Sequence, residues 1–169
     1  VLSVARGDGD HVWSADSLGK VRVWSGQAYR CVREFDTGQG RLHGMARVGR
    51  HMWTCSKECA RAWDVESGEL HHEEKGFVYC AAGVGDRVWL GCENEIRVLA
   101  QDDLTAAGER VPVKGNVVLA MAADPAGAHM WTSATDKRVR VYKTADLSLC
   151  REEKVGTGLA FTAAGAHMW

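Results

Sequence analysis

The chain has 169 residues, of which 46% are apolar and 25% charged, and its formal net charge is −1. That composition describes one globular domain with a sizeable core. Near-zero charge excludes a global field that would draw the chain to nucleic acid or an anionic membrane. No apolar run approaches the roughly 18–20 residues that span a bilayer.

In chain order the sequence repeats one phrase. An apolar stretch, VLSVA at 1–5, is too short for a signal-peptide core. It leads into HVWSADSLGKVRVW at 11–24 and a weaker polar run, CVREF, at 31–35. LHGMARV, HMWTCSKECARAW at 51–63 and ELHHEE follow; then FVYCAAGV, RVWLGCENEIRVL at 87–99 and ERVPV. The fourth pass is VVLAMAA, HMWTSATDKRVRVY at 129–142 and LCREE; a fifth begins with GLAFTAA at 158–164 and ends on HMW at 167–169. The anchors Trp13, Trp53, Trp89, Trp131 and Trp169 lie 40, 36, 42 and 38 residues apart. Arg22, Arg61, Arg97 and Arg140 each stand two places before a large residue, namely Trp24, Trp63, Leu99 and Tyr142.

Within each unit the alternation of β-branched and polar residues, punctuated by Gly, Ser and Asp, predicts strands. Each unit reads as four of them: an apolar inner strand, a Trp strand, an Arg strand and a polar outer strand. Four strands per roughly 40 residues is the blade of a β-propeller, because one four-stranded sheet cannot bury both faces unless its neighbours stack on it. The blades are expected at approximately 1–40, 41–75, 76–116 and 117–157, with 158–169 incomplete, in a single partial propeller domain.

TSATDKRVRVY resembles the WD40 repeat, with Asp136 and Tyr142 matching that pattern's turn Asp and terminal aromatic, and Trp63–Asp64 is a literal Trp-Asp. The resemblance covers essentially the whole chain and implies an all-β, WD40-like propeller of about four blades plus the start of a fifth. The Gly-His that opens such repeats is missing (His43–Gly44 is reversed), and the turn Asp becomes Leu18, Lys57 and Glu93 elsewhere. This puts the family's buried Asp–His–Ser–Trp network in question. The extra Trp in strand two is similar to propellers attached to inositol polyphosphate 5-phosphatases and some Rho exchange factors. Propellers have about 4–8 blades. The chain is therefore expected to be a fragment of a seven-bladed ring, or else to be completed by self-association or further chain segments.

Several clusters invite chemistry. Cys55 and Cys59, with His51, His71 and His72, contain zinc-ligand types, but the second ligand pair is merely two adjacent histidines, and packing thiols are the better reading. His11, His51, His129 and His167 recur two before each Trp, which suits a scaffold position bonded to backbone better than a pH sensor. The four repeat arginines invite an anion site, yet their stems are expected to pack and their heads to pair with acids. Gly7-Asp8-Gly9-Asp10 lacks the carboxylates of a calcium loop, and no helix follows Gly38-Gln39-Gly40 to make a phosphate cradle; both are expected to be connections. No nucleophile elbow, Walker loop or zincin motif is present.

No catalytic, cofactor or metal residue is therefore assigned, and no cofactor. The expected function is a non-catalytic protein- or peptide-binding scaffold, with a regulatory propeller of a larger signalling enzyme as the alternative, such as an inositol-phosphate phosphatase or a small-GTPase exchange factor. The partner is expected on loop faces, with no nucleic acid and no membrane insertion. The connections at 36–41, 74–76, 102–109 with 114–116, and 154–157 are expected to join outer to inner strands, with the first contact sought between Ala100 and Asn116. Six cysteines, mostly in apolar runs, predict a reducing, cytoplasmic setting.

Overall fold

The computed structural model describes residues 3–104, 108–155, 163–164 and 167–168, and every regular element among them is a β-strand. The strands fall into two compact units, Val1–Val78 and Tyr79–Trp169. In the first, β1 (Ser3–Arg6), β2 (His11–Ala15), β3 (Lys20–Ser25) and β4 (Arg30–Asp36) form an antiparallel meander. A second meander comprises β5 (Leu42–Val48), β6 (His51–Ser56), β7 (Cys59–Asp64) and β8 (Leu70–Lys75).

The second unit holds one six-stranded sheet. It runs through β9 (Val78–Val84), β10 (Arg87–Ala100), β11 (Glu109–Ala123), β12 (His129–Ala134), β13 (Arg138–Lys143) and β14 (Leu149–Lys154). A two-residue pair, β15 (Ala163–Ala164) with β16 (His167–Met168), follows. The expected fifth inner strand at 158–163 and Trp169 lie largely outside the described residues.

The six-stranded sheet is two meanders run together. β10 reverses at Asn94, whose φ of 69° is left-handed, and the Gln101 N–H donates to the Asp86 carbonyl at 2.7 Å, which closes the strand on itself as a hairpin. The same bond occurs in every other repeat, from Gly26 to Asp10, Val65 to Arg50 and Thr144 to Ala128, at 3.0–3.1 Å. The third meander is thus β9, the two halves of β10 and the first half of β11. The second half of β11 pairs with β12, from Val118 opposite Ala134 to Ala123 opposite Met130, and opens the fourth.

Strand alternation gives each sheet two faces. In the first, the rows Ala5–Trp13–Val23–Arg33 and Ser3–Ala15–Val21–Phe35 share one face. That face packs on Met45, Met52 and Trp63 of the second meander to form one core. Phe35 sits edge-on to Trp13 at 5.8 Å and tilted on Trp63 at 5.0 Å. In the second unit Trp89, Ile96 and Val98 of the third meander pack in the same way on Met130 and Tyr142 of the fourth. Trp13, Trp53 and Trp89 are fully buried. Each removes an area worth roughly 4–6 kcal/mol as an upper bound.

One expected connection is corrected. The stretch 101–108 joins the third and fourth strands of its meander rather than an outer to an inner strand. It therefore opens at the opposite end of the sheet from 36–41 and 74–76. β11 continues through Pro112 with no turn signal, so the sequence does not mark at which end of the third meander the 101–108 stretch opens.

The Asn94 turn joins the second and third strands of its blade, and its left-handed backbone costs a β-branched residue about 1–2 kcal/mol. Asn94→Val is expected to lose that much in urea unfolding, whereas Asn94→Gly stays near the parent value.

Candidate functional site

The repeat arginines are placed by strand register. Arg22 lies opposite Glu34, Arg61 opposite Glu73 and Arg140 opposite Glu152 on the outer strands. Their side chains meet at 2.6, 2.7 and 2.6 Å. The Arg22 guanidinium holds the Glu34 carboxyl below its ordinary range. Arg140 also bonds Asp136, the turn Asp; burial raises that carboxyl, but Arg140 and the Arg138 N–H bring it below its usual value. The third meander inverts the scheme. Arg97 faces Arg110 across the strands, and Glu95 bridges both, at 2.6 and 2.9 Å. These guanidiniums are engaged by carboxylates of their own sheets and do not converge on an anion.

The recurring histidines have separate local roles. His11 Nδ1 bonds the Asp8 carbonyl at 3.1 Å, as expected of a scaffold position, and His129 Nδ1 bonds the Asp124 carboxylate at 2.9 Å. His51 is buried and stacks on His71 with ring centroids 4.6 Å apart. The side chain of His167 lies outside the described residues. Cys55 and Cys59 are both buried on neighbouring strands. Among the described residues no group of three or more His, Cys, Asp or Glu side chains is placed to hold a metal ion.

Gly7-Asp8-Gly9-Asp10 is the β1–β2 turn. A Cβ on Gly7 would fall 2.7 Å from the Trp13 ring, so the close approach requires glycine. Asp10 accepts the Gln27 N–H at 2.8 Å and the Ser25 hydroxyl at 3.1 Å, which tethers the neighbouring turn and lowers its pKa. Gly38-Gln39-Gly40 connects β4 to β5, with both glycines at positive φ.

Sequence reasoning passed over Gln39 itself. It is 6% exposed. Its amide nitrogen donates to the carbonyls of Thr54 and Cys59, and its oxygen accepts the Thr54 hydroxyl at 2.5 Å. Thr54 in turn accepts the Trp63 indole N–H at 2.8 Å. A Gln has thus taken the place that a His holds in the buried Asp–His–Ser–Trp network. The first meander keeps the outer half of that network, with Trp24 donating to Ser14 at 2.8 Å. The third, with Leu90 and Leu99 at these positions, has neither hydroxyl nor indole. The Gly-Gln pair between a polar outer strand and an apolar inner one was the available signal.

Two grooves occupy equivalent positions at the end of the sheets that carries the first–second and third–fourth connections. In the first unit a pocket of about 360 Å³ is lined by Asp8, Arg47, Arg50, Asp64, Val65 and Glu66. In the second a pocket of about 250 Å³ is lined by Asp86, Arg87, Gly127 and Thr144 among others. Each lies between the β-turn of one meander and the two turns of the next. The first is the more charged. Arg47 bonds Asp8 at 3.2 Å, and Arg50, largely exposed, meets Asp64 at 2.9 Å. Backbone N–H groups of Ser67 and Glu66, together with Arg50, hold Asp64 ionised well below the usual carboxylate range. Within the expected contact stretch Ala100 to Asn116, residues 109–116 belong to strand β11, and 105–107 lie outside the described residues.

No family model matches the chain. It is 26% identical over 105 residues to the Rho GTPase-activating protein gacL of Dictyostelium discoideum, an alignment covering 57% of this chain and 14% of that protein. Among solved structures, the β-propeller domain of Cps50 (Swd1) from Myceliophteria thermophila superposes with a TM-score of 0.72 at 17% identity, over 95% of this chain and 57% of that one. The fold is that of a WD40-like β-propeller. The meanders are its blades, and the chain spans little more than half the length of the propeller that it matches. No helix among the described residues is long and apolar enough to cross a membrane.

His51 supplies a pH prediction for these blades. Burial, with His71 and Arg50 adding to it, pushes its pKa down, against a smaller opposing pull from Asp64. The unfolded chain therefore takes up a proton near pH 6.5 that the folded chain refuses. This contribution is intact above that pH and is lost below it. The urea midpoint is expected to fall between about pH 7.5 and about pH 5, and to fall less in His51→Phe.

Proposed function

We infer that the chain is a non-catalytic partner-recognition scaffold that binds a protein or peptide at the turn end of its blades. The observation that carries this reading is the pair of equivalent inter-blade grooves, the first lined by Arg47, Arg50, Asp8, Asp64 and Glu66 on rigid turns. Turns held by a fixed β-scaffold are where binding residues concentrate. Arg50 is anchored side-on through Nε and Nη2 by Asp64 yet largely exposed, so its remaining N–H groups can take a partner's carboxylate or carbonyl without first being ordered.

A second reading places the scaffold in a larger signalling protein acting on small GTPases, as its regulatory propeller. The similarity to 14% of a Rho GTPase-activating protein supports it. In this reading the chain contributes recognition, and the chemistry belongs to another part of the protein.

The test is selection of displayed peptides on the purified chain, followed by calorimetry with single variants. Arg50→Ala is expected to weaken the selected peptides by about tenfold or more, the scale of one charge-assisted hydrogen bond. Lys57→Ala, in the exposed turn at the other end of the second blade, is expected to change nothing. The reverse pattern would move the site to the opposite end.

A further inference from the structure

The joint inside each unit is built alike, but the grooves at the turn ends differ in charge. The Val65 N–H donates to the Arg50 carbonyl as the Thr144 N–H donates to the Ala128 carbonyl, and His51 stands opposite Asp64 as His129 stands opposite Lys143. By that register Arg47, Arg50 and Glu66 of the first groove correspond to Ala123, Ala128 and Ala145 of the second. The second joint buries Trp89, Met130 and Tyr142 with no charge at those three places. Closing a joint therefore does not require such charges.

Arg47 has nonetheless been recruited to its joint. Its guanidinium bonds the Gly7 carbonyl and the Asp8 carboxylate of the first blade. Arg50 and Glu66 have not. Arg50 bonds Asp64 of its own blade, through Nε and Nη2 at 3.3 and 2.9 Å. Glu66 is fixed through its backbone, its N–H donating to Asp64 at 3.0 Å and its carbonyl accepting from Arg33 at 2.8 Å. The Glu66 side chain is exposed and has no hydrogen bond or ion pair among the described residues. The turn thus holds a carboxylate in the lining of the groove that nothing in the fold neutralises.

The other charges of the lining cancel in pairs, Arg47 with Asp8 and Arg50 with Asp64. Glu66 is the charge left over, so the lining is negative overall. An acidic ligand side chain alone would gain the remaining N–H groups of Arg50 and meet repulsion from Glu66. A basic one alone would gain Glu66 and be opposed by Arg50. A ligand that carries both charges satisfies both groups. At about 360 Å³ the groove is near the lower end of the roughly 300–1,000 Å³ of ligand clefts. It has room for a pair of side chains and little more, so the two charges must be close neighbours.

We propose, on the reading of this chain as a partner-recognition scaffold, that the first groove is specific for a protein segment in which a Lys or Arg stands adjacent or next but one to an Asp or Glu. The base lies on Glu66 and the acid on Arg50. Arg50 supplies part of the affinity, and Glu66 determines the specificity.

The displayed library, selected on the 169-residue chain, tests this. Enriched peptides are expected to carry such an acid–base pair. Glu66→Lys is expected to weaken them by about tenfold or more. Because that side chain is exposed and unbonded, thermal unfolding should stay unchanged. The same variant should recover the binding of a peptide whose basic residue is exchanged for Glu, which a general loss of folding cannot produce. Enriched peptides that require Arg50 yet carry no base leave the scaffold reading standing and overturn this specificity. So does an affinity that Glu66→Lys leaves unchanged, or a charge-exchanged peptide that it fails to recover. A library that enriches no peptide overturns both.

Discussion

The structure depends on one contact, a strand-two tryptophan buried between its own sheet and the next. An isolated four-stranded sheet of about 35 residues has too little apolar area on one side to offset the entropy of ordering it. Trp13 with Phe35, and Trp89 with Ile96 and Val98, supply the missing area by covering the neighbouring blade. The indole nitrogens of Trp13, Trp53 and Trp89 are buried without a hydrogen-bond partner. Leaving such a donor dry costs about 1–3 kcal/mol, less than the burial of the ring returns. Size, not hydrogen bonding, is what this position demands.

The polar half of the repeat follows from that apolar half. With a blade's two faces committed to packing, most charged groups gather on its third and fourth strands and in the turns. There the Arg–Glu cross-strand pairs align strand three with strand four, and they leave the exposed edges β4, β8 and β14 lined with charge. Charged edges resist pairing with stray strands. The third blade keeps the rule with its charges exchanged, Glu95 lying between Arg97 and Arg110. The buried network is similarly adaptable. Gln39 satisfies two carbonyls and a hydroxyl, because the pocket requires a donor and an acceptor at a given reach rather than an imidazole.

Much of the fold was legible because its period is carried by large residues. Trp at a fixed place, Arg eight or nine residues later and a large apolar or aromatic residue two beyond survive degeneracy in everything between them. The third blade was the hardest to read. Its turn shrinks to Glu93–Asn94, and its outer strand runs on into the next blade through Pro112, so the direction of the 101–108 excursion could not be taken from local punctuation. The candidate site was less legible still. Asp8 and Arg50 come from turns, Arg47 and Asp64 from strand ends beside them, and blade stacking brings the four together, a relation between repeats that spacing within one repeat does not encode.

The meander connectivity also bears on how the chain reaches this state. In each blade a strand pairs with the strand beside it in sequence, through connections such as Gly85–Asp86 and Glu93–Asn94. Loop closure is therefore cheap for a β-protein, and no distant partner must be found before a sheet gains its hydrogen bonds. Such a chain assembles as a row of near-neighbour steps, and a substitution at a turn alters the rate of one step while a substitution at a tryptophan face alters the coupling between two.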